Sequence, residues 1–296
     1  MNHLVHTSEP GPQRIGVLMD LRNVNCVPRT ATSIEHARAL IARDGAAIAT
    51  GITSVEAAVA YGENVLGERA LRVRPQFEAT KANTDMDRDV VVLEQPDARG
   101  RKRDLGRYDL MQPAHYDGYS FGDYSPDHMF LWCERPCSQG GASFLVDAYA
   151  VLEQLSADDP QFARFAWNTD IDHSEPGAPQ GIHAPIARIV RGSRMQVRSH
   201  PYQAPVIGPD EAEQWPFVER WGRAVAAART FGPRFRLGAG EMVCIDNYRL
   251  LHGRDAFVEP ERKVVSIWAW TTSAKAVPDG VLDILHPELP ASSMAN

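Results

Sequence analysis

The chain has 296 residues, of which 44% are hydrophobic and 23% charged, and it carries a formal net charge of −7. That balance predicts a soluble globular protein with a substantial core and argues against general binding to nucleic acid or anionic membranes. Residues 1–14 hold no apolar signal-peptide core, and no run reaches the roughly 20 apolar residues of a membrane span, so a cytoplasmic protein is expected.

The first predicted element is a helix over Ser33 to Gly45, SIEHARALIARDG, with apolar residues at helical spacing, a capping serine and a terminating glycine. AAIATGI follows as a short strand, then TSVEAAVAYGENVLG, Thr53 to Gly67, as a second helix capped by Thr53 or Ser54. From Leu71 to Gln112 the pattern weakens to long polar loops around a single strand, DVVVLEQ. Past Tyr116 the chain turns to β-structure. HMFLWCERP and GASFLVDAY read as strands bracketing the turn PCSQGG, AYAVLEQL as a short helix, and HAPIARIVRG with SRMQVRSHPY as a hairpin around Gly192-Ser193. WPFVERWGRAVAAARTF, Trp215 to Phe231, returns to helical periodicity, and FRLGAGEMVCIDNYRLLHGRDAF and RKVVSIWAWTT close the pattern as strands. Residues 1–14 and 278–296 are expected to be irregular. With no linker and no repeat, the reading is one α+β, mainly β domain over residues 1–296, built on a sandwich or barrel. Cys26, Cys133, Cys137 and Cys244 make no disulfide framework, and the C-x3-C pair lacks the second pair a zinc site needs, so free thiols are expected.

Candidate chemistry begins at PAHYDGYSFGDYSPDH, Pro113 to His128. If the strand runs through it, His115 and Asp117 share a face and Tyr116 points away. Spacing alone decides little, because 10 histidines and 38 acidic residues give about one chance H-x-D/E match, and this chain has three, the others at His173/Glu175 and His286/Glu288. On that ground alone a structural or solvated role is the commoner reading. In GEMVCIDNYRLLHGRDAF, Gly240 to Phe257, an apolar strand runs through the turn DN to His252, a position that also suits a satisfied core histidine. Arg262 lies ten residues on and opens the apolar strand KVVSIWAW; pointing inward, it needs an anionic partner. Two imidazoles and one carboxylate on one side of a metal make the facial triad of non-haem iron(II) oxygenases, and a guanidinium beside it is a bidentate clamp for a carboxylate.

HYD at 115–117, QGGASFLVD at 139–147, and DNYRLLHGRDAF with Arg262 together resemble the iron(II)/2-oxoglutarate-dependent dioxygenase superfamily, in the clan of taurine dioxygenase, gamma-butyrobetaine hydroxylase and clavaminate synthase-like enzymes. The resemblance covers roughly Asp44 to Trp270. It implies a double-stranded β-helix (jelly-roll) core with flanking helices, iron held by His115, Asp117 and His252, and 2-oxoglutarate chelating the iron. Its far carboxylate would pair with Arg262 and with the hydroxyl of Ser143, where related enzymes often carry threonine. It also implies hydroxylation of a small polar, amino-acid-like or secondary-metabolite substrate by dioxygen, with release of succinate and CO2. Desaturation, cyclisation or epoxidation with the same cofactors is the alternative. Family members that halogenate replace the carboxylate found here at Asp117, so its presence favours hydroxylation.

Tyr116, Tyr119, Phe121 and Tyr124 read either as substrate-pocket walls or as packing and lid residues. Arg188, Arg191, Arg194 and Arg198 on the hairpin read as an anion site, with Arg198 the candidate substrate contact, or as a solvated face. Arg254 reads as support for the site or as a surface ion pair. Residues 81–110 and 170–181 are the candidate active-site loops, where substrate choice is expected to reside. Two other classes compete: a jelly roll that binds a small ligand without oxidising it, and a cupin-like enzyme without 2-oxoglutarate. The first has no need of the triad, and the second none of Arg262.

Overall fold

A computed structural model of the chain describes residues 24–78, 110–174, 182–259 and 261–277. Two short strands, β1 (Asn25–Cys26) and β2 (Arg29–Thr30), precede helix α1 (Ile34–Asp44), strand β3 (Ala46–Ala49) and helix α2 (Val55–Leu66). The expected caps are in place: Ser33 accepts from the His36 N–H, Ser54 from the Ala57 N–H, and Gly45 ends α1 at a φ of 82°. The segment from Leu71 differs from its reading as loop. It forms the nine-residue strand β4 (Ala70–Glu78), whose register sets Pro75 opposite Ile267. β4 is the edge strand of its sheet, the place where a sheet tolerates proline, and Pro75 is what hid it. DVVVLEQ lies outside the described residues.

The middle of the chain supplies β5 (Gln112–His115), β6 (His128–Arg135) and β7 (Ser143–Asp147), then two abutting helices, α3 (Ala148–Asp158) and α4 (Pro160–Asn168). The second helix was not anticipated. Its signal is local: Asp159 accepts from the Gln161 and Phe162 N–H groups, and Pro160 occupies the first helical turn. Short strands β8 (Ile171–Asp172) and β9 (His183–Ala184) lead to the hairpin β10 (Ala187–Arg191) and β11 (Arg194–Val197), which turns at Gly192-Ser193 as expected. After β12 (Ala204–Pro205), helix α5 (Glu211–Phe231) and strands β13 (Glu241–Asp246), β14 (Leu250–Arg254) and β15 (Lys263–Thr271) complete the chain.

Two sheets dominate, one of six strands in the order β2-β3-β13-β6-β15-β4 and one of four in the order β1-β7-β14-β5. Their side chains alternate by face. Met129, Cys133, Val243, Ile245, Val264, Trp268 and Trp270 from the larger sheet meet Leu145 and Leu250 from the smaller one in a shared core. The intervening residues of the larger sheet, among them Phe130, Trp132, Met242, Val265 and Ile267, pack under α1 and α2. Those of the smaller sheet, Ala114, Phe144, Val146 and Leu251, pack against α3, α4 and α5. The layers are helix pair, sheet, sheet, helix group, and any inward polar residue of the two sheets stands between them.

Candidate metal centre

β5 and β14 are antiparallel neighbours with His115 and His252 directly paired across the ladder. Each is one residue from an outward neighbour, Ala114 and Leu251 respectively, so both imidazoles point between the sheets, with ring centroids 4.3 Å apart. Asp117 reaches the same place by another route than strand alternation. β5 ends at His115 and Asp117 sits in the following turn, fixed there by Asn247, whose side chain accepts from the Asp117 N–H and donates to the Asp117 carbonyl, both at 2.9 Å. Asp117 Oδ1 lies 3.5 Å from both His115 Nε2 and His252 Nε2, and one ligand atom from each of the three lies within 4.8 Å of the others. Donors about 2.1 Å from one ion and at right angles lie about 3 Å apart, so the set is close to the dimensions of a facial ligand group.

The protonation states suit a metal. His115 Nδ1 lies 2.9 Å from the Pro113 carbonyl, which directs its proton there and leaves the Nε2 lone pair facing Asp117. Burial, and next the His115 ring, hold the His252 imidazole neutral at about 3, against the opposing pull of Asp117. Burial alone would raise the Asp117 carboxyl, but His252, His115 and the Trp268 N–H outweigh it and hold it at about 2. The candidate donor set is thus the Asp117 anion, the neutral imidazole of His252 and the Nε2 of His115, all buried.

Ser143 and Arg254 are paired across β7 and β14, each an even number of residues from inward-facing Leu145 or His252. Ser143 is buried, and its backbone bonds to Phe235. Arg262 precedes β15 in phase with Val264, Ser266 and Trp268, and its guanidinium lies 4.9 Å from the Phe257 ring centre. Burial presses its pKa down, opposed by the nearby thiols of Cys137 and Cys133. It forms no ion pair among the described residues. Arg254, buried, lies 4.8 Å from the same ring and donates to the Leu110 carbonyl at 2.9 Å. Between His252 and Arg254, Gly253 presses on the neighbouring layer: a Cβ there would stand 2.3 Å from Phe144 Cζ and 2.6 Å from the Gln112 carbonyl.

The aromatic residues divide between the two cores. Tyr116, fully buried, and Tyr119 belong to the outer one, where Tyr119 stacks on His200 at 4.4 Å, whereas Phe121 belongs to the inner one, edge-on to Trp268 at 5.7 Å. Nor is the hairpin a uniformly solvated face. Arg198 is completely buried, bonded to Asp123 Oδ1 at 2.6 Å and to the Pro185 carbonyl, and Arg188 binds the other oxygen of Asp123 at 2.6 Å. Residues 81–109 and 175–181, most of the two candidate loops, lie outside the described residues. Three residues that hold Asp117 in place were missed: Asn247, Ser266 and Trp268. Counting by twos from Arg262 along β15 reaches Ser266 and Trp268, and Asn247 lies in the DN turn before His252.

His173, paired with Glu175 by spacing alone, is a core residue. It is fully buried, with Nε2 3.0 Å from the Ala184 carbonyl and Nδ1 3.3 Å from Gln203 Nε2. Burial, then the charge of Arg198, lowers its pKa to about 3, against the hydrogen bond to Ala184. Because the unfolded chain takes up this proton near pH 6.5 and the folded chain does not, stability falls as pH drops through that value and on towards 3. Urea melts of the metal-free protein at pH 7 and pH 5 are expected to differ by about 2 kcal/mol from this residue, and His173→Gln should lose that share of the difference.

Two buried histidines and an aspartate gathered at one point of a β-rich chain have the layout of a metal-dependent oxygenase. The chain is a member of the taurine catabolism dioxygenase TauD, TfdA family, whose model matches residues 8–268, and the resemblance read from its motifs is thereby borne out. Over 152 residues it is 28% identical to the gamma-butyrobetaine dioxygenase of Pseudomonas sp. (strain AK-1), a match covering 49% of this chain and only 39% of the relative. Among solved structures, an asparagine oxygenase in complex with Fe(II), 2S,3S-3-hydroxyasparagine and succinate superposes with a TM-score of 0.53 at 15% identity, over 81% of this chain and 83% of that one. The non-haem iron oxygenase OrfP in complex with Fe and alpha-ketoglutaric acid gives 0.51 at 13% identity, over 81% and 79%. At such identities these likenesses establish a shared fold. No helix among the described residues is long and apolar enough to cross a membrane.

Proposed function

We propose that the chain is an iron(II)/2-oxoglutarate-dependent oxygenase that hydroxylates a C–H bond of a small polar, amino-acid-like metabolite. The observation that carries the reading is the convergence of Asp117 Oδ1 with the Nε2 atoms of His115 and His252 at 3.5 Å. We read the two facing sheets as the double-stranded β-helix of that superfamily, supported by the fold shared with iron oxygenases. The whole chain is taken as one such domain, with the segments at 81–110 and 170–181 as its active-site loops.

In this reading His115, Asp117 and His252 hold the iron. The bound iron, 2-oxoglutarate and dioxygen supply the oxidising power, one oxygen atom going to the substrate and one to the succinate formed as CO2 leaves. The chain's own residues set the stage for that chemistry. The fixed tautomer of His115 and the neutral state of His252 keep two lone pairs available. Arg262 meets the far carboxylate of the keto acid, with Ser143 donating one hydrogen bond from the opposite sheet. Charge then closes: the two positive charges of iron and the one of Arg262 match the single charge of Asp117 and the two of 2-oxoglutarate, so little net charge is left between two apolar sheets. Phe121 is taken to border the substrate space. Tyr116, Tyr119 and Arg198 are taken to act on it through packing and through Asp123.

An anaerobic titration of the metal-free protein with iron(II) and 2-oxoglutarate tests the reading. A weak visible charge-transfer band is expected once both are present, and its absence in the wild-type protein refutes the cofactor assignment. Succinate release across a panel of amino-acid-like compounds then identifies the substrate.

A further inference from the structure

The two oxygens of Asp117 are in unlike surroundings. Oδ1 faces both imidazoles, whereas Oδ2 accepts from Trp268 Nε1 at 2.7 Å and from Ser266 Oγ at 3.3 Å. Ser266 and Trp268 are each 4% exposed, so no water competes for those bonds. The indole is itself wedged, edge-on against Phe121 at 5.7 Å and against Trp270 at 6.2 Å. Trp270 in turn is tied by its Nε1 to the Tyr124 carbonyl at 2.9 Å. The carboxylate backbone is fixed as well, by Asn247 on both its N–H and its carbonyl. Rotation about the Asp117 Cβ–Cγ bond is therefore governed from the side of β15, by an uncharged donor with one hydrogen to give.

A carboxylate can bind a divalent ion through one oxygen or through both. Here the second oxygen is already occupied by a short, charge-assisted hydrogen bond in a buried place, where such bonds are strong. We propose that Trp268, aided by Ser266, is a positioning residue that holds Asp117 as a one-oxygen ligand and so preserves an open coordination position for keto acid or oxygen. The inference rests on the reading of His115, Asp117 and His252 as the metal site.

The test uses the full chain and manganese(II) as probe, with two readouts that do not depend on turnover: calorimetric affinity, and the carboxylate stretches in the infrared difference spectrum of metal-bound minus metal-free protein, with aspartate labelled in 13C. Wild type is expected to show the wide splitting of a one-oxygen carboxylate. Trp268→Phe should narrow the splitting and weaken manganese binding about tenfold, the lower end of the range for outer partners of metal ligands; Ser266→Ala should shift both in the same direction by less. A Trp268→Phe protein with wild-type splitting and affinity overturns the proposal. Should that variant fail to fold, the wild-type spectrum and Ser266→Ala still decide: a two-oxygen signature in wild type refutes the lock while leaving the metal site intact. A wild type that takes up no manganese overturns the metal-site reading and this inference with it.

Discussion

Asp117→Asn is expected to leave a folded protein that no longer holds iron. The substitution keeps the size of the side chain and an oxygen able to accept from the Trp268 Nε1–H and the Ser266 hydroxyl, now at 2.7 and 3.3 Å, so the buried donors of β15 remain satisfied. What disappears is the negative charge. Neither imidazole brings a negative charge, and burial and its neighbour His115 hold His252 neutral at about 3, so Asp117 is the sole anion among the three candidate ligands. Outer partners of metal ligands are worth 10- to 100-fold in affinity; losing a charged ligand itself should exceed about 100-fold. Thermal melting under anaerobic conditions reads this directly. Iron(II) at 100 times its dissociation constant stabilises the wild type by about 2.7 kcal/mol, a shift of several degrees in a chain of this size. The variant should show no such shift while melting, metal-free, within about 4 °C of wild type. Retention of the full iron shift in Asp117→Asn contradicts the assignment, and a collapse of the metal-free melting temperature assigns the carboxylate a structural role instead.

Much of the site was legible because its determinants are local. Caps announced α1 and α2, since Ser33, Gly45 and Ser54 act within one turn of where they stand. The two ligand segments announced themselves by composition, a histidine and a carboxylate in one and a histidine with a following arginine in the other. What could not be read is what depends on pairing. No spacing rule states that His115 and His252 lie opposite each other on neighbouring strands, because that register is set by 136 residues of intervening fold. Asp117 was placed on the right side for an incomplete reason: the strand stops at His115, and it is the amide of Asn247, 130 residues away, that turns the carboxylate inward. β4 was hidden by Pro75, which contradicts a central strand and is permitted at an edge, and edge position is a property of the finished sheet. Arg198 reads as a hairpin-surface arginine until Asp123 is brought beneath it; a buried cation is acceptable only once its partner has arrived.

Arg262→Leu is expected to raise the KM for 2-oxoglutarate by roughly 30-fold to several thousandfold, the equivalent of the 2–5 kcal/mol lost on truncating one member of a buried, hydrogen-bonded charge pair, at unchanged iron affinity. The guanidinium is positioned for such a pair and lacks it: half-buried, in phase with the inward residues of β15, supported at 4.9 Å by the Phe257 ring, and without an ion-pair partner among the described residues. Burial already presses its pKa down, the mark of a cation whose surroundings do not supply an anion. An interaction made equally before and during the reaction changes KM more than kcat, so kcat at saturating keto acid should fall far less. Arg262→Lys restores the charge without the fork and should recover part of the loss. Ser143→Ala removes a single hydrogen bond, about 1 kcal/mol or fivefold in KM, and Ser143→Thr should be nearly neutral. The metal-free protein supplies the control. Removing a half-buried charge with no ion-pair partner among the described residues costs the fold little, so Arg262→Leu should melt close to the wild-type temperature; a much lower melting temperature together with an unchanged KM would mean that the guanidinium holds the fold together and does not receive the keto acid.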